Sequence, residues 1–312
     1  MTEGMSAIAV EKTSRLLIFL EAVATHEFLQ NRVCLHGGTA LNLFIFRTPR
    51  LSLDADLNYI GNADREVMLR ERPLVDRALA EVAQSLGLRV ETGPDQHAGR
   101  TYKMVYSSQI TGHRDFIKVD MDYLNRATLI PPEFREPTWG EKTGIGVLTN
   151  APIEVAGGKI MALLGRVVPR DLFDITLLAK NREIYSTGDK ALDRKILLYY
   201  ITMSDPFPRQ LMIRERFSGT GKQFEENLLP LLLNNTKPQL ADMIDIAEEF
   251  IQEIVQPRTN DEAGYLDRMM QADYQPDMLF KDYPGVLQAA LSNPRMQWKL
   301  QNQRKVSTQH TH

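Results

Sequence analysis

The first half of the chain alternates between helix-like and strand-like patterns of apolar and polar residues. Apolar side chains recur at helical spacing over residues 11–31, and the short apolar run Val33–Leu35 predicts a buried strand. Residues 51–59 alternate with a period of two, which predicts another strand. A helix ending at Ser85 should follow, closed by a glycine cap at Gly87. Further strands are predicted at Arg89–Glu91, Tyr102–Ser107 and Asp115–Tyr123.

The second half of the chain carries helical patterns throughout. Prolines and glycines between residues 131 and 153 predict a link, and beyond it the apolar residues keep helical spacing. The predicted helices are Glu154–Arg166, Asp171–Lys180, Lys190–Met203, Phe224–Leu233, Gln239–Val255 and Val286–Gln303. These patterns predict an α+β fold, in which a domain with a mixed sheet spans residues 1–150 and an all-helical domain spans residues 151–312.

Composition and charge place the chain among globular proteins and exclude several other classes. The 312 residues are 43% hydrophobic and 25% charged, close to globular averages. The single cysteine, Cys34, excludes an internal disulfide and a cysteine-rich zinc site. No apolar run is long enough to cross a membrane, so we expect a cytoplasmic protein. The formal net charge of −3 lacks the basic signature of a nucleic-acid-binding domain.

The candidate chemistry begins where the first strand meets a glycine-rich helix start. Gly37 and Gly38 allow the backbone to approach a triphosphate closely, and the amides at the helix start favour its negative charge. Thr39 adds a hydroxyl donor. Asp54 and Asp56 share one face of the next strand, about 7 Å apart by strand rise. This spacing suits two hard cations held by oxygen ligands.

A second acidic strand extends the pattern. Asp120 and Asp122 also share a strand face, and they supply the further carboxylate that a two-metal site needs. An isolated Asp-x-Asp is typical of a solvated strand face, and an isolated glycine pair is typical of a turn. Because the glycine pair, the Asp-x-Asp strand and the acidic strand follow in this order, the pattern favours nucleotidyl transfer from a triphosphate.

These residues resemble the signature of the AbiEii/MenT-type nucleotidyltransferase toxins, a branch of the polymerase-beta-like nucleotidyltransferase superfamily. The similarity begins with Gly37-Gly38-Thr39-Ala40-Leu41 and continues with Arg50-x-Ser52-x-Asp54-x-Asp56-Leu57. Lys159, preceded by two glycines, and the segment Arg170-Asp171-Leu172-Phe173-Asp174 are similar to that family's later lysine and Arg-Asp-x-x-Asp elements. The resemblance covers residues 36–180, and the helical remainder carries no matching motif.

The resemblance implies a toxin of a bacterial or phage-defence toxin–antitoxin pair, with a cognate antitoxin protein as a partner. Members of the family bind an NTP with Mg²⁺, and some add nucleotides to the 3′ acceptor end of tRNA, which blocks translation. The positions implied for two metal ions are Asp54, Asp56 and Asp120, with Asp122 as an alternative on the same face. The positions implied for phosphates are Gly37, Gly38, Thr39 and Lys159. Asp174, or alternatively Asp171, would serve in the last element.

Several of these residues keep two interpretations at the level of sequence. Arg50 either reaches a phosphate or anchors its strand through a carboxylate, and Ser52 either contacts the nucleotide or is solvated. Arg170 and Asp174, one helical turn apart, either belong to the site or pair with each other. Lys159 either projects toward the site from the side of its helix opposite the apolar face, or is an ordinary exposed lysine.

The acceptor of the nucleotide also stays open. Lysines and arginines cluster within residues 159–195, 209–222 and 295–305, and these clusters are candidate RNA contacts, although a charge cluster is more often a solvated face. A protein or a small hydroxyl compound is an alternative acceptor, as in antibiotic-modifying relatives in the superfamily. A further alternative is a nucleotide-binding module that has kept the fold without catalysis.

Overall fold

The computed structural model describes residues 6–96, 98–204, 207, 212–233 and 238–309, with side chains described as far as residue 303. Arg209, Arg304 and Lys305, which belong to the predicted basic clusters, lie outside the described side chains. The chain forms two compact units. The sheet unit comprises the described residues of Met1–Arg126, Pro131–Ala151 and Leu228–Lys237. The helical unit comprises those of Ala127–Ile130, Pro152–Asn227 and Pro238–His312.

The sheet unit is built on a mixed sheet. Its strands are β1 (Val33–His36), β2 (Asp54–Tyr59), β3 (Arg89–Thr92), β4 (Gly99–Ser107), β5 (Arg114–Asp122), β6 (Glu133–Arg135) and β7 (Val147–Thr149). Their spatial order is β3-β4-β5-β2-β1-β7-β6. The β2–β5 and β1–β7 pairs are parallel and the other neighbours are antiparallel. The predicted mixed sheet is therefore confirmed.

Burial of apolar residues decides which face of the sheet carries the polar side chains. The helices of this unit are α1 (Ala7–Thr25), α2 (Gly37–Thr39), which continues as a π-helical segment at Ala40–Ile45, and α3 (Arg65–Ser85). Helix α1 packs against β2, β5 and β7. Ala55 and Leu57 of β2 and Val119 of β5 are at most 1% exposed. Because neighbouring residues of a strand point to opposite faces, the alternating acidic residues point away from this core.

The helical unit has its own core. Its helices are α4 (Pro152–Gly165), α5 (Pro169–Lys180), α6 (Lys190–Met203), α7 (Ile213–Phe217), α8 (Gly221–Asn227), α9 (Leu240–Val255), α10 (Asn260–Met270), α11 (Asp277–Phe280), α12 (Pro284–Leu291) and α13 (Pro294–Gln309). Helix α4 packs on α5 and α6, and α9 packs on α5 and α6. Ile160, Ile175 and Leu198 are fully buried among them. Among the described helices, none combines the length and apolar content that crossing a membrane requires.

Three expectations about secondary structure are wrong. The predicted link at residues 131–153 contains β6 and β7, which extend the sheet. The predicted helix Phe224–Leu233 stops at Asn227, because the following residues join the sheet unit, where the Leu51 amide donates to the Leu231 carbonyl at 2.8 Å. The predicted helix Val286–Gln303 is two helices, since Pro294 begins α13 and cannot continue α12.

Candidate active site

The register between β2 and β5 brings three of the predicted carboxylates together. In this parallel pair, Asp54 lies opposite Lys118 and Asp56 lies opposite Asp120. Paired residues of neighbouring strands project from the same face, and so do residues two apart on one strand. Asp54, Asp56 and Asp120 therefore form one group on the sheet face opposite the apolar core, which we call the acidic cluster.

Both oxygens of the Asp120 carboxylate have a partner. The Thr101 hydroxyl of β4 donates to Asp120 Oδ1 at 2.6 Å. The Lys118 ammonium forms an ion pair with Asp120 Oδ2. Partial burial of Lys118 opposes its charged form, but the hydrogen bond to Asp120 and the charges of Asp54 and Asp56 outweigh it and raise the pKa of the lysine. Lys118 is therefore a cation bound to the acidic cluster.

Asp122 has a different environment from Asp120. It is the last residue of β5 and lies opposite Asn58. Its Oδ1 accepts hydrogen bonds from the Leu124 and Asn125 amides, at 2.6 and 3.0 Å, and its Oδ2 accepts one from the Asn125 side chain at 2.6 Å. These bonds stabilise the turn that ends the strand, so the carboxylate of Asp122 is engaged locally.

The glycine pair makes the closest approach to the acidic cluster. Gly37 has a φ of +71°, which favours glycine, and a Cβ at this position would lie 2.2 Å from Asp56 Oδ2. The preceding residue, His36, lies opposite Asp56 in the antiparallel β1–β2 pair. Gly38 is buried, and its carbonyl accepts a hydrogen bond from Asn42 at 3.0 Å. The position of Gly37 thus depends on the absence of a side chain.

Three predicted nucleotide contacts are buried, one at the end of α2 and two in the segment that leads into β2. Thr39, Arg50 and Ser52 are 0%, 3% and 6% exposed. The Thr39 hydroxyl contacts Ser52 Oγ at 2.8 Å and the Asp54 carbonyl, and the Thr13 hydroxyl donates to the Ser52 carbonyl at 3.2 Å. Arg50 donates to the Leu51 carbonyl at 3.0 Å. These contacts hold the backbone that presents Asp54, and the predicted contacts with a nucleotide stay predictions.

An open pocket lies directly beside Asp56 and Asp120. Its wall includes His36 from β1 and Gly99 and Thr101 from β4. A Cβ on Gly99 would lie 2.3 Å from the Met121 carbonyl, so glycine permits the close approach of β4 and β5 at this point. The sequence pattern assigns no role to Thr101, because the register of a long antiparallel pair cannot be predicted from the sequence.

The later lysine and acid elements form a separate group inside the helical unit. Lys159 on α4 and Asp174 on α5 are 4% and 0% exposed, and the Lys159 ammonium lies 2.7 Å from Asp174 Oδ2. Asp171 is 3.7 Å from the same ammonium and accepts two hydrogen bonds from Arg166, at 2.6 and 3.0 Å. Lys159 is therefore not an ordinary exposed lysine, and the structure pairs Asp174 with Lys159 from the neighbouring helix.

Magnesium is the metal that the resemblance implies, and the chemistry of the donors agrees with it. Among the described residues, no group of three or more His, Cys, Asp or Glu side chains converges closely enough to hold a metal ion. Magnesium is usually held by one or two carboxylates with substrate phosphates and water, rather than by a complete protein cage. Asp56 and Asp120, adjacent in register and next to Gly37, provide such a partial set.

Comparisons with known proteins bear on the family and the fold of the chain. The sequence profile described as "Nucleotidyl transferase AbiEii toxin, Type IV TA system" matches residues 18–271. No curated protein matches the chain in sequence. MenT4, a nucleotidyltransferase toxin from Mycobacterium tuberculosis, is similar in structure over 92% of this chain and 94% of its own, with a TM-score of 0.58 and 17% identity. JHP933 from Helicobacter pylori is similar over 85% of this chain and 99% of its own, with a TM-score of 0.53 and 17% identity.

Proposed function

The chain belongs to the AbiEii nucleotidyl transferase toxin family of type IV toxin–antitoxin systems, and from this premise we propose that it transfers nucleotides from an NTP, with magnesium, to the 3′ acceptor end of tRNA. The observation that carries the proposal is the pairing of Asp56 with Asp120 on adjacent parallel strands, directly beside the backbone of Gly37. Carboxylates and exposed backbone amides are the groups that a metal-bound triphosphate requires.

Each part of the acidic cluster has a role in this proposal. Asp54, Asp56 and Asp120 would hold two magnesium ions. The ions would supply activation of the attacking hydroxyl and neutralisation of the leaving pyrophosphate. Gly37 and Gly38 bring the chain close to the phosphates. The burial of Thr39 supports a positioning role for its hydroxyl, since it holds the strand that carries Asp54.

We propose Asp120, rather than Asp122, as the third metal ligand. Asp120 lies opposite Asp56 in the sheet, whereas the oxygens of Asp122 accept bonds from the turn that follows β5. If Asp122 bound a metal ion, its oxygens would no longer accept these hydrogen bonds, and the turn after β5 would be destabilised. The partners of Asp120 are side chains, which can rearrange without a change in the backbone.

A second proposal concerns the group around Lys159 within the helical unit. We propose that Lys159 binds the triphosphate and that Asp174 and Asp171 hold its ammonium in place. The support is that both carboxylates lie within 3.7 Å of the Lys159 ammonium in a buried environment. Asp171 is itself oriented by Arg166. Arg170 is a further proposed contact with the nucleotide.

The acceptor, the antitoxin and a role in phage defence are the finer parts of the proposal. The net charge of −3 does not oppose an RNA acceptor, because the carboxylates proposed for magnesium contribute to it and their charge would be neutralised by the metal. The exposed residues of the basic clusters of the helical unit, such as Lys180, Lys190 and Arg214, are the proposed RNA contacts. A type IV family implies an antitoxin partner.

The proposal is tested by incubating the full chain with labelled NTPs, magnesium and total RNA. We expect label on tRNA. Asp56→Asn should reduce labelling at least about a hundredfold, because it removes charge where the metal would bind. Asp267→Asn, an exposed substitution on α10, is the matched control and should label normally. A wild-type protein that binds NTP but labels no RNA contradicts the RNA acceptor, and label on a protein or a small hydroxyl compound would identify the alternative acceptor.

A further inference from the structure

We propose that Lys118 is the resident counter-cation of the acidic cluster, and that a divalent metal ion must displace its ammonium group from Asp120 in order to bind. This inference rests on the proposed function, since it concerns the same carboxylates. It adds a residue that opposes metal binding, because Lys118 would lower the affinity of the free protein for metal.

The sheet register places Lys118 beside the acidic cluster. Lys118 lies opposite Asp54, and it is two residues before Asp120 on the same face of β5. Its ammonium contacts Asp120 Oδ2, while Asp120 Oδ1 accepts a hydrogen bond from Thr101. A metal ion that approaches Oδ2 therefore meets a positive charge already in contact with that oxygen.

The balance of charge explains why a cation is needed there. Three carboxylates on adjacent positions of two strands repel one another, and like charges directly opposite each other destabilise a sheet. One ammonium offsets one of the three negative charges. A divalent ion would offset two, and the two cations would then repel each other across the same few ångströms.

Lys118 is able to leave when a metal arrives. Its side chain is 41% exposed, and the flexible stem of lysine allows the ammonium to move to solvent. Its ammonium contacts Asp120 and its residue lies opposite Asp54, so it occupies the place that a metal ion would take. Phosphates supply additional oxygen ligands to magnesium, and metal carried by an NTP would displace Lys118 more readily than free metal.

The test measures binding of Mn²⁺ alone to the full chain, by electron paramagnetic resonance of the free ion. Lys118→Met removes the charge and keeps the length of the side chain. Removing a positive charge next to a divalent ion should lower the Kd for Mn²⁺ by about fivefold to tenfold at low salt, and less at high salt. Lys118→Arg keeps the charge and should bind Mn²⁺ like the wild type.

Lys103→Met is the matched control. Lys103 lies opposite Lys118 in the β4–β5 pair, but its ammonium sits over the Phe116 ring, 4.8 Å from the ring centroid. We expect a change in Kd of less than about twofold, since this charge does not contact the carboxylates. A Lys103→Met variant that gains as much affinity as Lys118→Met would overturn the inference, because the effect would then come from general surface charge.

A second measurement separates a role in metal competition from a purely structural one. In EDTA, Lys118→Met should have a lower thermal unfolding midpoint than the wild type, and saturating Mg²⁺ should remove this difference. Unchanged or weaker Mn²⁺ binding by Lys118→Met overturns the inference. If the wild type binds Mn²⁺ and Asp56→Asn does not, the metal site of the proposed function is supported independently of the result for Lys118. If neither the wild type nor Lys118→Met binds Mn²⁺, both proposals fail.

Discussion

Replacing Glu154 with glutamine should make the stability of the helical unit less dependent on pH. Glu154 lies on α4 and is 2% exposed. Its carboxylate accepts hydrogen bonds from the Leu129 and Ile130 amides, at 3.1 and 3.0 Å, and from the Tyr200 hydroxyl. Burial has the largest effect on this group and raises its pKa from 4.5 to about 7, although the three hydrogen bonds act in the opposite direction.

The sign of the effect follows from the tighter binding of the proton in the folded state. Between pH 4.5 and about 7, Glu154 keeps its proton in the folded protein but loses it in the unfolded chain, so stability falls as pH rises. Since a tenfold change in proton affinity corresponds to about 1.4 kcal/mol, the loss amounts to about 3 kcal/mol. Glutamine does not ionise, and its carbonyl can still accept from Leu129 and Ile130. The variant should therefore avoid this loss.

The assay is equilibrium unfolding in urea, followed by circular dichroism, at several values from about pH 5 to about pH 8. The difference in free energy of unfolding between Glu154→Gln and the wild type should shift in favour of the variant as pH rises, by about 3 kcal/mol across this range. Glu183→Gln, an exposed substitution in the same unit, should stay parallel to the wild type. A constant difference between Glu154→Gln and the wild type would refute the reasoning, because burial would then have no effect on the proton.

Two further substitutions test the close approach of Gly37 to Asp56 and the buried ion pair between Lys159 and Asp174. Gly37→Ala should lower both thermal stability and RNA labelling, because its Cβ would lie 2.2 Å from Asp56 Oδ2. The control Gly158→Ala places its Cβ in open space on a helix, and its free energy of unfolding should rise by about 0.5–1 kcal/mol. Normal labelling by Gly37→Ala would contradict the close approach of Gly37 to Asp56. Lys159→Met should cost about 3–5 kcal/mol in urea unfolding, because it leaves the charge of Asp174 buried. Lys159→Met/Asp174→Leu should recover part of that loss, and strictly additive losses would argue against the pair.

Much of the fold follows from local patterns in the sequence. The helix at Lys190–Met203 has the predicted bounds, β2 forms within its predicted strand, and β5 is offset by one residue from the predicted Asp115–Tyr123. Long periodic segments are predicted well because every turn of the helix or every pair of strand residues repeats the same pattern. Strands β6 and β7 have three residues each, too few for a period to be recognised. The return of Leu231 to the sheet unit depends on a contact with Leu51, far away in the chain, and no local pattern encodes such a contact.

The candidate site also combines features that local sequence patterns predict with features that only the structure shows. Alternation alone places Asp54 with Asp56 and Asp120 with Asp122, each pair on one strand face. The choice between Asp120 and Asp122 requires the register, which sets Asp120 opposite Asp56, and the turn contacts that engage Asp122. The same alternation predicts that Lys118 shares the face of Asp120, but the contact between the two side chains is visible only in the structure.

A common electrostatic principle links the two groups of residues proposed for the nucleotide. In the sheet unit, Lys118 offsets the charge of Asp120, and in the helical unit Lys159 is offset by Asp174. A lysine that is already paired with a carboxylate can bind a triphosphate in two ways. Either another cation replaces the lysine at its carboxylate, or the lysine contacts the phosphates and the carboxylate at the same time. The exposed Lys118 can be replaced by magnesium, whereas Lys159 is buried and its ammonium contacts Asp174. We therefore expect Lys118 to move when magnesium and NTP bind, and Lys159 to keep its contact with Asp174.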